Sequence, residues 1–250
     1  MIGAVLIVVP AHDEELLLPR CLASLQRATG HPALARIQVR IALVLDRCSD
    51  WSGELAAPLL QGSDLLLEQR DGNVGAARRL GARALLAAEC GRPGSDVWIA
   101  TTDADSRVPA DWLARQVALA DAGADAVAGT IAVDDWHEQP RGTRDVFLAR
   151  YASELRPTAH DHVHGANLGV RGSTYEAVGG LADLPLAEDH ALVDALEAHG
   201  ARIMRPPALR VRTSGRRESR APGGFSDYLR VLAAPPCAQR PSGLRARRRG

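Results

Sequence analysis

The chain contains no lysine; all 30 of its basic residues are arginine. That absence removes lysine Schiff bases, a P-loop lysine and a Tyr–Lys dehydrogenase pair from consideration. No apolar run approaches the ~20 residues that a membrane helix needs. Four cysteines, Cys21, Cys48, Cys90 and Cys237, include no C-x-x-C pair. In a chain of 250 residues they are expected to be reduced thiols, which implies a cytoplasmic setting. Basic residues are also missing ahead of the first apolar stretch. Residues 1–10 end at Pro10 and read as a buried strand rather than a signal peptide.

Net charge is absent as well, with 30 basic and 30 acidic residues. The balance is uneven. Residues 235–250 hold five arginines and no acid, so the body carries 25 arginines against 30 acids, a net of −5. An acidic body argues against nucleic acid as a partner. The tail, with three prolines, is expected to be a disordered basic end, with weak peripheral contact to anionic lipid as its other reading.

What remains is enough for one domain with a real core. Size scaling buries about 72% of the surface of a chain this long, and 46% of the residues are hydrophobic. Short β-branched runs at residues 4–9, 39–45, 64–68, 97–101 and 126–133 alternate with helical patterns at 14–27, 50–60, 74–90 and 112–122. This order predicts an α/β fold: a mostly parallel twisted sheet flanked by helices. The second half is less regular. It predicts a partly exposed helix over 135–156, a polar loop running into a strand at 160–170, helices at 188–198 and 225–232, and an extended stretch at 203–211 broken by Pro206 and Pro207. The expected organisation is a single domain over 1–234, with a regular half at about 1–133 and a less regular half at about 134–234.

Three strand ends carry acids: Pro10-Ala11-His12-Asp13-Glu14-Glu15, Asp46-Arg47-Cys48-Ser49-Asp50, and Asp103-Ala104-Asp105. Any one of them alone reads as a loop or helix cap. In a parallel sheet, however, ligands sit beyond the carboxyl ends of the strands, where these three converge. Residues two apart on extended backbone face the same way, so Asp103 and Asp105 present two carboxylates to one ligand. Such oxygens suit Mg²⁺ or Mn²⁺ bridging to substrate phosphates.

Taken in order, these segments resemble those of family 2 glycosyltransferases with the nucleotide-sugar-binding GT-A fold. Pro10-Ala11-His12-Asp13-Glu14 is similar to the family's Pro-Ala-Tyr-Asn-Glu, and Asp46 through Asp50 to its Asp-Gly-Ser-Thr-Asp region. Asn73-Val74-Gly75-Ala76-Ala77-Arg78 is similar to its Gly-x-x-x-Ala-Arg segment, and Asp103-Ala104-Asp105 to its DxD. Gly165-Ala166-Asn167 with Arg171 and Gly179-Gly180 resembles the acceptor-side segment, and Glu188-Asp189 its Glu-Asp pair.

The resemblance implies that Pro10, Ala11, Asp13 and Asp46 hold the nucleotide and that Arg78 lies near its base or phosphates. It implies that Asp103 meets ribose or metal, that Asp105 binds Mg²⁺ or Mn²⁺, and that Asp189, beside Glu188, is the general base. Arg216 and Arg217 would belong to a basic loop over the donor diphosphate, hinged at Gly223-Gly224. His162, His164, Gly165 and Asn167 would meet the acceptor. The implied partners are a UDP- or GDP-sugar and a hydroxyl-bearing acceptor. His12 replaces the usual aromatic and Arg47 the usual glycine, which leaves the choice of base open.

Other readings stay in view. Glu188-Asp189 can simply offset a helix dipole. The histidines of 160–164 can be metal ligands or a polar loop. The same fold can catalyse retaining transfer of the glucosylglycerate type, or serve as a silent nucleotide- or glycan-binding module. A nucleotidylyltransferase fits poorly, because Pro10–Glu15 has neither glycine nor lysine.

Overall fold

A computed structural model describes residues 1–218, 220 and 223–232. The tail at 235–250 lies outside the described residues. In chain order the elements are β1 (Ala4–Ala11), α1 (Leu18–Thr29), β2 (Gln38–Asp46), α2 (Ser52–Ala56), β3 (Leu65–Gln69) and α3 (Val74–Ala88). These are followed by β4 (Val97–Thr101), α4 (Trp112–Asp121), β5 (Ala126–Ala128), β6 (Thr130–Val133) and α5 (Thr143–Ser153). The chain continues with β7 (Leu168–Arg171), α6 (Gly172–Ala177), α7 (Glu188–Ala198), β8 (Ile203–Met204), β9 (Arg210–Thr213) and α8 (Phe225–Leu232).

Seven strands form one sheet in the order β3-β2-β1-β4-β7-β5-β8. β3, β2, β1 and β4 run parallel, and β7 is antiparallel to both of its neighbours. β1 is buried along its whole length, as a central strand with both faces covered must be. One layer of core packs α1 and α4 on one face, through Leu18, Cys21, Leu22 and Leu25 at helical spacing and through Trp112 and Leu113. The other face takes α3, α6 and α7. α3 approaches closely because its inner face is small. A Cβ on Gly81 would stand 2.8 Å from Val8, and one on Gly75 would stand 2.4 Å from the carbonyl of Ala182. The strand order reverses between β2 and β4 about β1, so a crevice opens beyond the carboxyl ends of β1 and β4.

Three expected elements differ from the fold. The strand at 126–133 is divided at Gly129: β5 stays in the main sheet, while β6 pairs with β9 in a separate two-stranded ribbon. The cause is Asn167, whose amide fills the space where a Cβ on Gly129 would be, and donates to the carbonyls of Thr130 and Leu209 at 2.8 Å each. The helix expected over 135–156 is helical only from Thr143, after Pro140 and the left-handed Gly142. α1 starts at Leu18 rather than at residue 14, because 14–17 form a turn on the Glu14 carbonyl. Among the described residues no helix is long and apolar enough to cross a membrane, and Cys21, Cys48 and Cys90 form no disulfide.

Candidate active site

The loops after β1 and β2 are tied to each other. Asp13, held at a positive φ of 50°, accepts from the Ser49 N–H at 2.6 Å and the Asp50 N–H at 3.3 Å. The Ser49 bond comes first among the causes that hold its carboxyl below the ordinary value. Asp50 in turn accepts from Glu15 N–H at 2.9 Å and Ser52 N–H at 3.0 Å. Asp13, Cys48 and Asp50 can bring ligand atoms within 4.8 Å of one another, but the two carboxylates are engaged by loop backbone. Asp46 is buried and accepts from Gly72 N–H at 2.8 Å and Asn73 N–H at 2.6 Å. It thereby fixes the entry to α3, whose first turn Asn73 caps by accepting from Ala76 N–H at 3.0 Å. Pro10 and Ala11 end β1, buried beside these loops.

α3 delivers Arg78 into the interior. Its guanidinium donates to Glu188 at 2.5 Å and to Asp103, and Gly165 lies against it so closely that a Cβ there would be 1.8 Å from Arg78 Nη1. Burial opposes the arginine charge, but Asp103 and Glu188 outweigh it and keep it firmly protonated. Asp103 keeps 36% of its side chain exposed, so it faces both Arg78 and the crevice.

Asp105 is more enclosed. It accepts from Ser106 Oγ at 3.2 Å and Thr213 Oγ1 at 3.3 Å and lies 3.2 Å from Arg216 Nη2. Arg216 also donates both Nη groups to buried Glu14, at 2.7 and 2.6 Å. Burial pushes the Asp105 carboxyl up to about 7; Arg216 draws it down while Asp103 and Glu14 raise it further. The Arg216 loop is itself anchored, since Gln139 Nε2 donates to the carbonyls of Gly215 and Arg216 at 2.9 and 3.1 Å. Arg217 instead is exposed, and its N–H reaches Glu138 at 3.0 Å, so of the two arginines only Arg216 enters the acid cluster. Glu14, Asp103 and Asp105 carry oxygen donors of the kind that Mg²⁺ or Mn²⁺ takes, but among the described residues the set with ligand atoms within 4.8 Å of one another is Asp13, Cys48 and Asp50, and Glu14 and Asp105 are paired with a guanidinium instead. Here Arg216 supplies the positive charge among them.

Asp189 stands at the start of α7. Oδ2 accepts from Gly165 N–H at 2.7 Å, and Oδ1 from His190 N–H at 2.8 Å with His190 Nδ1 at 3.0 Å. Burial opposes its ionisation, yet the bonds from His190 and the charge of Arg78 prevail and hold it at about 2. Ala187 enters the helix left-handed, at φ 59°. That conformation is uncommon for a residue with a Cβ and costs of order 1–3 kcal/mol, and it turns Glu188 inward to Arg78.

The acceptor-side histidines sit in an aromatic column rather than on open surface. His162 stacks on Tyr151 with ring centroids 3.8 Å apart. Tyr151 Oη accepts from Ile131 N–H at 2.9 Å and is hydrogen-bonded to His164 Nε2 at 3.0 Å. Burial, with His162 beside it, lowers His164 to about 3, so it is neutral. Asn167 departs from its expected place. It is fully buried, accepts from Trp112 Nε1 at 2.8 Å, and clamps the two sheets rather than facing an acceptor. Glu14, Thr213 and His190 also belong to the site, brought there by the fold. Glu14 lies within the first acid-bearing strand end, but its partner is 202 positions away in the chain.

Residues 6–176 match the description Glycosyl transferase family 2. The chain belongs to that family. Among solved structures, the S. aureus TarS 1–349 complex with UDP-GlcNAc superposes with a TM-score of 0.62 at 15% identity, over 92% of this chain and 65% of that one. The mannosyltransferase PcManGT from Pyrobaculum calidifontis, in complex with GDP-Man and Mn²⁺, gives 0.62 at 20% identity, over 92% and 60%. The family 2 chain thus shares their GT-A fold and spans just under two thirds of their length. No curated protein matches the sequence.

Proposed function

We propose that the protein transfers a sugar from a nucleoside diphosphate sugar to a hydroxyl acceptor with inversion at the anomeric carbon. The observation that carries this reading is the linked charge array Glu14–Arg216–Asp105 and Asp103–Arg78–Glu188, next to the ionised Asp189, at the crevice beyond β1 and β4. In the reaction the anomeric C–O bond to the diphosphate breaks and a bond to the acceptor oxygen forms. The acceptor proton passes to Asp189. Negative charge grows on the leaving diphosphate, and Arg78 and Arg216 are placed to stabilise it. Asp105, with Asp103, would hold a divalent cation, which would supply further neutralisation of the diphosphate. The Mn²⁺ of the PcManGT complex supports a divalent ion, and the UDP-GlcNAc and GDP-Man of the two relatives' complexes support a nucleotide-sugar donor. His162, His164 and Gly165 would border the acceptor side.

Retention is favoured by one observation. Both Asp189 oxygens already accept hydrogen bonds and the carboxyl is held at about 2, whereas a general base works best near the operating pH. A screen of UDP- and GDP-sugars for nucleoside diphosphate release, followed by NMR of the product's anomeric centre, tests both readings. Inversion of the donor configuration supports the proposal, retention replaces it with the second reading, and no turnover with any donor leaves the binding-module reading.

A further inference from the structure

The loop that carries Asp105 continues into Arg107, which forms an isolated antiparallel bridge to Arg212 of β9. The Arg107 N–H donates to the Arg212 carbonyl at 2.7 Å, and the Arg212 N–H donates back at 3.0 Å. Along β9 the side chains alternate. Val211 and Thr213 are buried, while Arg210 and Arg212 face out. Thr213 reaches Asp105, so the two arginines lie on the opposite side of the strand. There they meet Arg107 and Arg27, the latter from the last turn of α1, around a cleft of about 370 Å³ that Val108 and Pro109 also line.

Asp134 pairs with Arg107 and, at 3.3 Å, with Arg212. Arg27 and Arg210 have no acidic partner within 4.0 Å among the described residues. Four guanidinium groups against one carboxylate leave an excess of three positive charges on a concave surface, which repel one another unless an anion lies among them. Planar guanidinium donors match the oxygens of phosphate in bidentate fashion.

We propose that this cleft is a binding site for a phosphate ester, with Arg27 and Arg210 as its free donors and Arg107 and Arg212 preset by Asp134. The site is distinct from the acid-lined crevice and does not depend on the transferase reading. A soluble phosphate ester and a phospholipid headgroup share this chemistry.

The test uses the full chain at constant ionic strength, titrated calorimetrically with inorganic phosphate. In a second arm it is sedimented with phosphatidylcholine vesicles, with and without phosphatidylglycerol. The comparison proteins are Arg27→Gln/Arg210→Gln, both exposed positions, the single Arg27→Gln as a milder change, and Arg216→Gln at the crevice. Losing two charge-assisted bonds should weaken binding by about tenfold or more. Phosphate binding that falls in the double variant and survives in Arg216→Gln identifies a soluble ester. Binding only to phosphatidylglycerol vesicles, weakened in the same variant, identifies a headgroup. The proposal is overturned if the double variant matches the wild type in both arms, which would place the anion at the crevice or on the basic tail, or if the wild type binds neither probe.

Discussion

Arg78 and Asp189 hold the two halves of the crevice together at the level of single residues. Arg78 is a buried cation between two carboxylates. Neutralising Glu188 leaves the guanidinium to Asp103 alone and removes one charge-assisted bond, at a cost of about 1.5–3 kcal/mol. Glu188→Gln should therefore lower the melting temperature as well as activity, because Glu188 anchors Arg78. Asp189→Asn should instead cost about 10²–10⁴ in turnover, the range for a positioned proton acceptor, and leave donor affinity nearly unchanged. Steady-state kinetics and calorimetry on the two variants separate these outcomes.

Asp189 also makes a prediction about pH. Its folded value, about 2, lies below the ordinary 3.8. The stability it contributes, about 2 kcal/mol, is thus present above pH 4 and fades as pH falls toward 2. Urea denaturation of wild type and Asp189→Asn should show a constant difference above pH 5 that narrows by about 1 kcal/mol at pH 3; a difference independent of pH would remove the ionised Asp189 from the account. The acids themselves were readable in the sequence, because each follows an apolar strand. Their partners were not, since Glu14 with Arg216 and Gly165 with Asp189 meet only through the fold.

Among the elements, the ribbon of β6 and β9 decides how the second half meets the first. It places Thr213 and the Arg216 loop over Asp105, and Asn167 holds it apart from the main sheet. Asn167→Ala would leave the buried Trp112 N–H without its partner and take one donor from the carbonyls of Thr130 and Leu209, of which Leu209 keeps the Thr130 N–H at 2.9 Å. At about 1–3 kcal/mol for the unsatisfied donor, with about 1 kcal/mol for each bond lost, chemical denaturation should show a loss of about 2–4 kcal/mol. A loss under 1 kcal/mol would mean that the ribbon is held by other contacts. The β-α-β periodicity of the first half was legible because buried strands and amphipathic helices repeat with distinct spacing. The division at Gly129 was not, since 126–133 has the length and β-branched content of a single strand and its interruption comes from a side chain 37 or more residues away.

Across the whole molecule, the basic tail and the acidic crevice lie at opposite extremes of composition. Residues 235–250 have no apolar periodicity, so a chain ending at Ala234 is expected to keep its melting temperature. Deletion from Phe225 should lower it, because Phe225 packs edge-on to buried Phe147 at 5.8 Å and Leu229 is fully buried. Melting curves of the two truncations check this directly.

In the proposed function the acids beyond β1 and β4 hold a nucleoside diphosphate through a divalent ion at Asp105. It is tested most directly by calorimetry of UDP and GDP with Mn²⁺, comparing wild type with Asp105→Ala, with melting temperatures recorded alongside. Binding of at least one nucleotide is expected to require Mn²⁺ and to weaken at least tenfold in a variant that remains folded. Equal affinity in EDTA and in Asp105→Ala would contradict it.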